Sequence, residues 1–503
     1  MDQKSDFLHQ IDQGYNFKGD SLVVGAPIFG NEVMTGHHIS IPLETMNRHG
    51  LISGATGTGK TKSLQVLAEG LSQKGVPVLL MDLKGDLSGL AAAGNPHPKI
   101  DERQEKIGLT WESRSFPVEL MSLSEQEGVR LRATVSEFGP ILLSRILDLN
   151  DTQQGIVAVI FKYCDDHKMP LLDLNDFKKI LRYATEEGKE AFEQAYGRVS
   201  TASTGAILRK IIELEQQGAD RFFGERSFEV KDLVRKTPEG EGYINIIRLD
   251  DIQDRPKLFS TFMLSLLAEV YNTFPELGDP DKPELVLFID EAHLIFDQAS
   301  EALLDQLESM VKLIRSKGIG LFFITQDPTD IPESVLSQLG LKVQHALRAF
   351  TAKDRKKIKM TAQNYPLSDF YDTAEVLTNL GIGEALVTAL DEKGRPTPLS
   401  ATMMRAPQSR MDILSAKEIE QVHRSSVLTS KYEEDIDRES AYEILSRKIE
   451  EAREDEQMEQ AKKEREKLSG RTRRSTRQNP VLKVLTSAAF IRGVMGILNK
   501  AMR

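Results

Sequence analysis

One stretch constrains this chain more than any other: Gly54-Ala55-Thr56-Gly57-Thr58-Gly59-Lys60-Thr61, continuing into Lys62 and Ser63. It satisfies the pattern Gly-x-x-x-x-Gly-Lys-Ser/Thr in full. Each residue type has a mechanical reason. The glycines let the backbone turn tightly enough for its N–H groups to converge on phosphate oxygens. Lys60 can set a point charge against the β- and γ-phosphates of a nucleotide. The Thr61 hydroxyl can occupy a coordination position on Mg²⁺. The surroundings matter more than the pattern itself. Leu51-Ile52 reads as the end of a strand, and Leu64, Leu67, Ala68 and Leu71 recur at helix spacing between Lys62 and Gly75. Strand, loop and helix in that order put a helix N-terminus behind the anion site.

Other apolar runs end in polar residues in the same manner. Leu285–Ile289 leads directly into Asp290 and Glu291, Gly320–Ile324 into Thr325 and Gln326, and Val76–Met81 into Asp82, Lys84 and Asp86. Such runs read as buried strands of a mainly parallel sheet, whose carboxyl ends form the ligand-binding rim. At that rim Asp290 can hold Mg²⁺ through its water shell, and Glu291 can orient or deprotonate an attacking water. Gln326 could sense the γ-phosphate or the water. Asp82, Lys84 and Asp86 either act at this rim or begin a solvated loop, and the first reading is preferred. Val343–Phe350 reads as a further strand with Arg348 in its later half, and residues 383–403 as a hairpin that closes the sheet.

The chain divides as follows. Residues 1–48 form a small N-terminal β element, with strands at Leu22–Val24 and His38–Pro42. Residues 49–94 and 226–407 are the two parts of an α/β core. Residues 95–225 are a mainly α-helical insertion, with a strand at Phe116–Met121 and helices at about 124–149, 151–167, 173–195 and 203–217. Residues 408–468 are a charged helical extension, read as helix from 412. Residues 469–503 are a basic linker and a final helix. That final helix carries an apolar stripe (Val484, Ala488, Ile491, Met495, Leu498, Met502) flanked by Lys483, Arg492 and Lys500. Contact with a membrane surface, a protein partner, nucleic acid or the protein itself all fit it. The net charge of −11 argues against a chain coated in nucleic acid but leaves room for a local basic surface. Cys164 is the only cysteine, so no intramolecular disulfide is possible, and it reads as a core residue. There is no basic-then-apolar leader pattern and no membrane-length apolar run, which makes the cytoplasm the expected compartment.

The phosphate loop, Asp290-Glu291-Ala-His, the helix ending Arg315-Ser-Lys-Gly-Ile-Gly and the strand ending Thr325-Gln326-Asp-Pro together resemble the HerA–FtsK branch of P-loop motor ATPases. The closer likeness is to the bacterial HerA-like C-terminal-domain ATPases, to which Asp82-Leu-Lys-Gly-Asp86-Leu and Val343-Gln-His-Ala-Leu-Arg348 are also similar. The resemblance implies a RecA-like core, ATP and Mg²⁺ as cofactors, a homo-oligomeric and typically hexameric ring, and double-stranded DNA as the polymer that is moved. Carried over residue by residue, it implies that Gly54 to Lys62 cradle the nucleotide. Thr61 and Asp290 serve the metal, Glu291 is the catalytic carboxylate, and Gln326 is the sensor. Arg315 matches an arginine finger that reaches a neighbour's site, with a plain surface residue as the alternative. Arg48 matches an arginine presented to nucleotide just before the loop. Only residues 1–48 precede the loop, shorter than the family's β-barrel, which argues against a nuclease partner. The densest basic cluster of the core, Lys353, Arg355, Lys356, Lys357 and Lys359, reads as a solvated helix face in preference to a channel lining.

Overall fold

The structure is a computed structural model, and it describes residues 3–298, 301–434, 436 and 438–469. Its framework is one sheet of thirteen strands: β1 (Ser21–Phe29), β2 (Glu32–Val33), β3 (Ile39–Pro42), β4 (Gly50–Ser53), β5 (Val78–Asp82), β6 (Val118–Ser122), β7 (Val129–Arg130), β8 (Ile244–Arg248), β9 (Leu285–Ile289), β10 (Ile319–Thr325), β11 (Leu341–His345), β12 (Glu384–Thr388) and β13 (Ser400–Met404). The order across it is β2-β1-β13-β12-β11-β4-β10-β9-β5-β8-β6-β7, with β3 on the side of β1. From β11 through β7 every pairing is parallel; from β11 through β2 every pairing is antiparallel. The expected α/β class is what is found. Every residue of β9 and β10 is buried, because helices cover both faces of a parallel sheet.

The hairpin expected near 383–403 forms, as β12 and β13. It does not close the sheet. β1 lies antiparallel beyond it, with Gly25 opposite Met404. The early strands are therefore continuous with the core sheet, a pairing across most of the chain that leaves no local signal. An unexpected helix, Gln3–Gly14, precedes them and buries Phe7 and Ile11 in the same apolar core as Leu64, Leu67, Ile52 and Phe322. Tyr15 ties this end to the hairpin, donating its hydroxyl to Val387 O (3.2 Å) and Pro398 O (2.7 Å).

The stretch 95–225 contributes β6 and β7 to the sheet before its helices begin. The expected helix from 124 starts only at Val135, because Val129–Arg130 pairs with β6 and Thr134 caps the helix through a reciprocal bond with Glu137. The expected helix 173–195 is two helices, Leu174–Tyr183 and Lys189–Tyr196. Gly188 separates them: its N–H bonds to Tyr183 O at 2.8 Å, and a Cβ there would lie 2.3 Å from the Tyr183 ring. The single helix read from 412 is likewise interrupted, into Ala416–Ser425, Val427–Tyr432 and Ala441–Ser469, with Ser415 and Ser426 capping the first two. Cys164 is buried, and burial pushes its thiol up to about 12, so it is an inert core residue.

Two compact units divide the chain at Ile444 and Leu445. The second, within the described residues, is the charged part of the last helix, with exposed pairs such as Lys463–Glu459 (3.2 Å). Among the described residues no helix is long and apolar enough to cross a membrane. The basic helix read at 481–503 lies outside the described residues.

Candidate active site

The phosphate loop joins β4 to the helix Lys60–Gln73, and β4 lies between β10 and β11. Two glycines show why the spacing is required. Gly54 has φ +149°, and a Cβ on it would lie 2.5 Å from His345 Cβ. Gly59 has φ +118° and backs onto Gly383, 3.2 Å from where its Cβ would be. The loop is tied to both neighbours: Ala55 N donates to Ala346 O (2.9 Å), and Gly383 N donates to Thr58 O (2.9 Å). His345 braces it from below. Its Nδ1 lies 2.9 Å from Glu384 O, which can only accept, so Nδ1 carries the proton and Nε2 accepts from Ser63 Oγ at 2.9 Å. Burial, aided by the Lys60 charge, pushes His345 down to about 4 and keeps the ring neutral at neutral pH.

Lys60 is buried and turns back over its loop, donating to Gly54 O (2.7 Å) and Ala55 O (3.3 Å). Burial, with Lys84 nearby, lowers its proton affinity. Thr61 Oγ1 faces Asp86 Oδ2 at 3.4 Å. Lys62 lies at the expected place in the chain, but its ammonium reaches the carbonyl of Met411 (2.5 Å) instead of the loop.

β9 delivers Asp290 and Glu291 to the same rim. Glu291 has φ +47°, a left-handed conformation that costs a non-glycine residue on the order of 1–3 kcal/mol and aims its side chain by backbone strain. Both acids are buried. Burial pushes Asp290 up to about 7, with the charge of Glu291 adding to it and that of Lys84 opposing it. Glu291 Oε1 is held by an ion pair from Lys84 and by Gln326 Nε2 at 3.4 Å, while its Oε2 lies 3.3 Å from His293 Nδ1 without a hydrogen bond between them. Gln326 in turn accepts from Thr56 Oγ1 at 3.1 Å. β10, inserted between the loop strand and the acid strand, thus links Gln326 to both.

The three rim residues left open by the sequence separate by role. Asp82 accepts from the N–H groups of Gly85 (2.8 Å), Asp86 (3.1 Å) and Leu87 (3.0 Å), so it shapes the turn. That turn presents Lys84 to Glu291 and Asp86 to Thr61. Lys84, Asp86, His293 and His345 are therefore site residues to which the sequence assigned no specific role. The strand-end pattern flags the first two, and the last two stand inside stretches that carry the family resemblance. Asp86 Oδ1 is buried without a hydrogen-bond partner. With the Thr61 hydroxyl and the Asp290 carboxylate it makes a set of hard oxygen donors suited to Mg²⁺.

Two expected residues are not brought together with the loop. Arg315 follows the helix Glu301–Ile314 and precedes β10, while Gln326 follows β10. The seven residues of β10 span roughly 23 Å at about 3.3 Å per residue. Arg48 precedes β4, at the same far rim. Both guanidinium groups face Asp279, at 3.3 Å for Arg315 and 4.0 Å for Arg48. Neither reaches the nucleotide loop of its own chain. Arg348, past the end of β11, donates to Thr378 O (3.2 Å).

The bacterial conjugative coupling protein TrwB has a similar fold, with a TM-score of 0.51 at 14% identity over 81% of this chain and 94% of that one. The core is thus of the RecA-like, P-loop kind. Among curated proteins, the DNA double-strand break repair helicase HerA of Sulfolobus acidocaldarius is 21% identical over 363 residues, which is 71% of this chain and 66% of that protein. A probable helicase of Methanocaldococcus jannaschii is 30% identical over 385 residues, again 71% of this chain and 66% of that one. The chain spans just under two thirds of the length of these relatives. Residues 30–492 match the family model described as helicase HerA-like C-terminal. The chain belongs to that HerA-like helicase family.

Proposed function

We propose that the protein is a Mg²⁺-dependent ATPase that works as a ring, converting ATP hydrolysis into movement along double-stranded DNA. The observation that carries the ATPase reading is the convergence at one rim of Lys60, Thr61, Asp290, Glu291 and Gln326, from three adjacent strands and one helix. The loop N–H groups and the N-terminus of the helix Lys60–Gln73 bind the phosphates. Lys60 exchanges its carbonyl partners for phosphate oxygens. Glu291 accepts the proton of the attacking water, and Gln326, bonded to both the loop and that carboxylate, reports the state of the γ-phosphate. Bound Mg²⁺ would be held by Thr61, Asp290 and Asp86 and would neutralise charge on the leaving phosphate.

The ring is supported by the far rim. Arg315 is 44% exposed in its side chain and lies a strand's length from its own loop, which suits presentation to a neighbour's γ-phosphate. DNA as the polymer is supported by the family membership and by the relatives named as DNA repair helicases. The test is steady-state ATP hydrolysis with and without duplex DNA, beside Lys60→Ala and Glu291→Gln. Hydrolysis that rises with DNA and falls by about 10²–10⁴-fold in Glu291→Gln is expected. Hydrolysis indifferent to DNA would retain the ATPase and reject the DNA motor. Hydrolysis that survives both substitutions would reject the site.

A further inference from the structure

The helix Ala352–Gln363 carries five cations, Lys353, Arg355, Lys356, Lys357 and Lys359, against one acid, Asp354. The acid is committed elsewhere: its carboxylate accepts from Phe350 N (3.0 Å) and Thr351 N (2.8 Å) and completes the helix cap. The packed face of the helix is Ile358 and Thr361. Lys353, Arg355, Lys356 and Lys359 are all exposed, and no ion pair is found for any of them among the described residues. Four unneutralised cations within two helical turns repel one another, an arrangement that like-charge spacing makes costly unless an anion covers it. Lys357 differs from the other four, because it forms an ion pair with Asp327, the residue after Gln326. The helix also packs on the short turn Pro328–Asp330 that follows. The helix is thus anchored, through Lys357, to the residue that follows Gln326.

We propose that the exposed face of Ala352–Gln363 binds the phosphate backbone of duplex DNA. The inference rests on the DNA-directed reading above and names the surface responsible. Charge complementarity identifies the occupant: on a chain of net charge −11, a local surplus of four positive charges on one helix selects a polyanion with closely spaced charges. The interactions are ionic and not base-specific, so binding is insensitive to sequence and steeply dependent on salt.

The experiment measures binding of a labelled duplex by fluorescence anisotropy across a salt series, on the full chain. The variants are Lys353→Gln/Arg355→Gln, Lys356→Gln/Lys359→Gln, the two pairs combined, and Lys353→Arg/Lys356→Arg/Lys359→Arg. The combined variant should lower the slope of log K against log salt by about three to four units, at about 0.9 for each phosphate no longer neutralised. Each pair alone should lower it by about half as much, so the result stands even if the combined variant folds poorly. The arginine variant should bind as the wild type does. Wild-type binding with an unchanged slope in all glutamine variants would overturn the surface and leave the DNA reading intact. A wild type that hydrolyses ATP yet binds no duplex at low salt would overturn the DNA reading, and this surface with it.

Discussion

The two rims of the parallel sheet are built from the same strands and have opposite characters. At the carboxyl rim, charge is concentrated and imperfectly satisfied. Asp290 and Glu291 are buried side by side, Glu291 sits in a left-handed conformation, and an oxygen of Asp86 has no partner. At the amino rim, the buried histidine is fully satisfied, although the neighbouring Asn47 amide and Arg48 Nε are buried without hydrogen-bond partners. His49 also has a positive φ, +60°, but both its ring nitrogens are used: Nε2 lies 2.7 Å from Val311 O, and Nδ1 accepts from Leu321 N at 3.1 Å. What remains there, Arg48 and Arg315, faces outward to Asp279. The contrast teaches that unpartnered carboxylate oxygens gathered at one rim mark where chemistry is done, whereas a positive φ alone does not, since His49 has one and holds the sheet together.

The sharpest way to break this comparison is at Arg315. If the amino rim serves a neighbour, Arg315→Ala should lower turnover by about 10³–10⁵-fold. Mixing it with Lys60→Ala subunits, which are inactive alone, should restore part of the activity, because some interfaces then pair an intact loop with an intact arginine. No restoration on mixing would return Arg315 to a surface role. A second test concerns His49. Burial lowers it to about 4, from about 6.5 in an unfolded chain. Between those values the unfolded chain takes up a proton that the folded one refuses, so stability falls as pH falls from about 6.5 to 4. The stability margin of wild type over His49→Gln, read from denaturant unfolding at each pH, should shrink by on the order of 3 kcal/mol across that window. A constant margin would mean that the ring is not neutral in the fold.

A third test has the opposite sign and sits on the opposite rim. Burial raises Asp290 to about 7, so its charged form is disfavoured in the folded protein. In chelator, Asp290→Asn should be more stable than wild type above pH 7, and the gain should fade as pH drops through the window down to about 4, below which both folded and unfolded wild type hold the proton. Thermal melting across that range would show it. A variant less stable than wild type at pH 8 would mean that the carboxylate is a structural acceptor and not a strained site group.

The phosphate loop and the acids after β9 were legible because their chemistry demands particular residue types at fixed local spacing, and Gly54, Lys60, Asp290 and Glu291 all stand where that spacing puts them. Gln326 was legible for the same reason, as a polar residue ending an apolar strand. The strand ending at Asp82 shows the limit of the rule. An aspartate there can hold a metal or tie down its own turn, and only the bonds to Gly85, Asp86 and Leu87 decide for the turn. Lys84 against Glu291, and β1 against β13, were hidden because each pairing joins residues far apart in the chain. Helix ends were misplaced where one residue overrides periodicity, as Gly188 does against the Tyr183 ring.

The pairing of β1 with β13 also bears on how the chain is made. β1 can join β3 as soon as both have left the ribosome, but its other edge must wait for Ser400–Met404. Roughly 375 further residues separate Phe29 from Met404, which at about 5–20 residues per second is a delay of about 20–75 s. During that time an apolar strand edge, Val24 to Ile28, lacks its mate. Newly made chains lying side by side on one message would offer each other the same vacant edge, so β1 is where misassembly between nascent copies should begin.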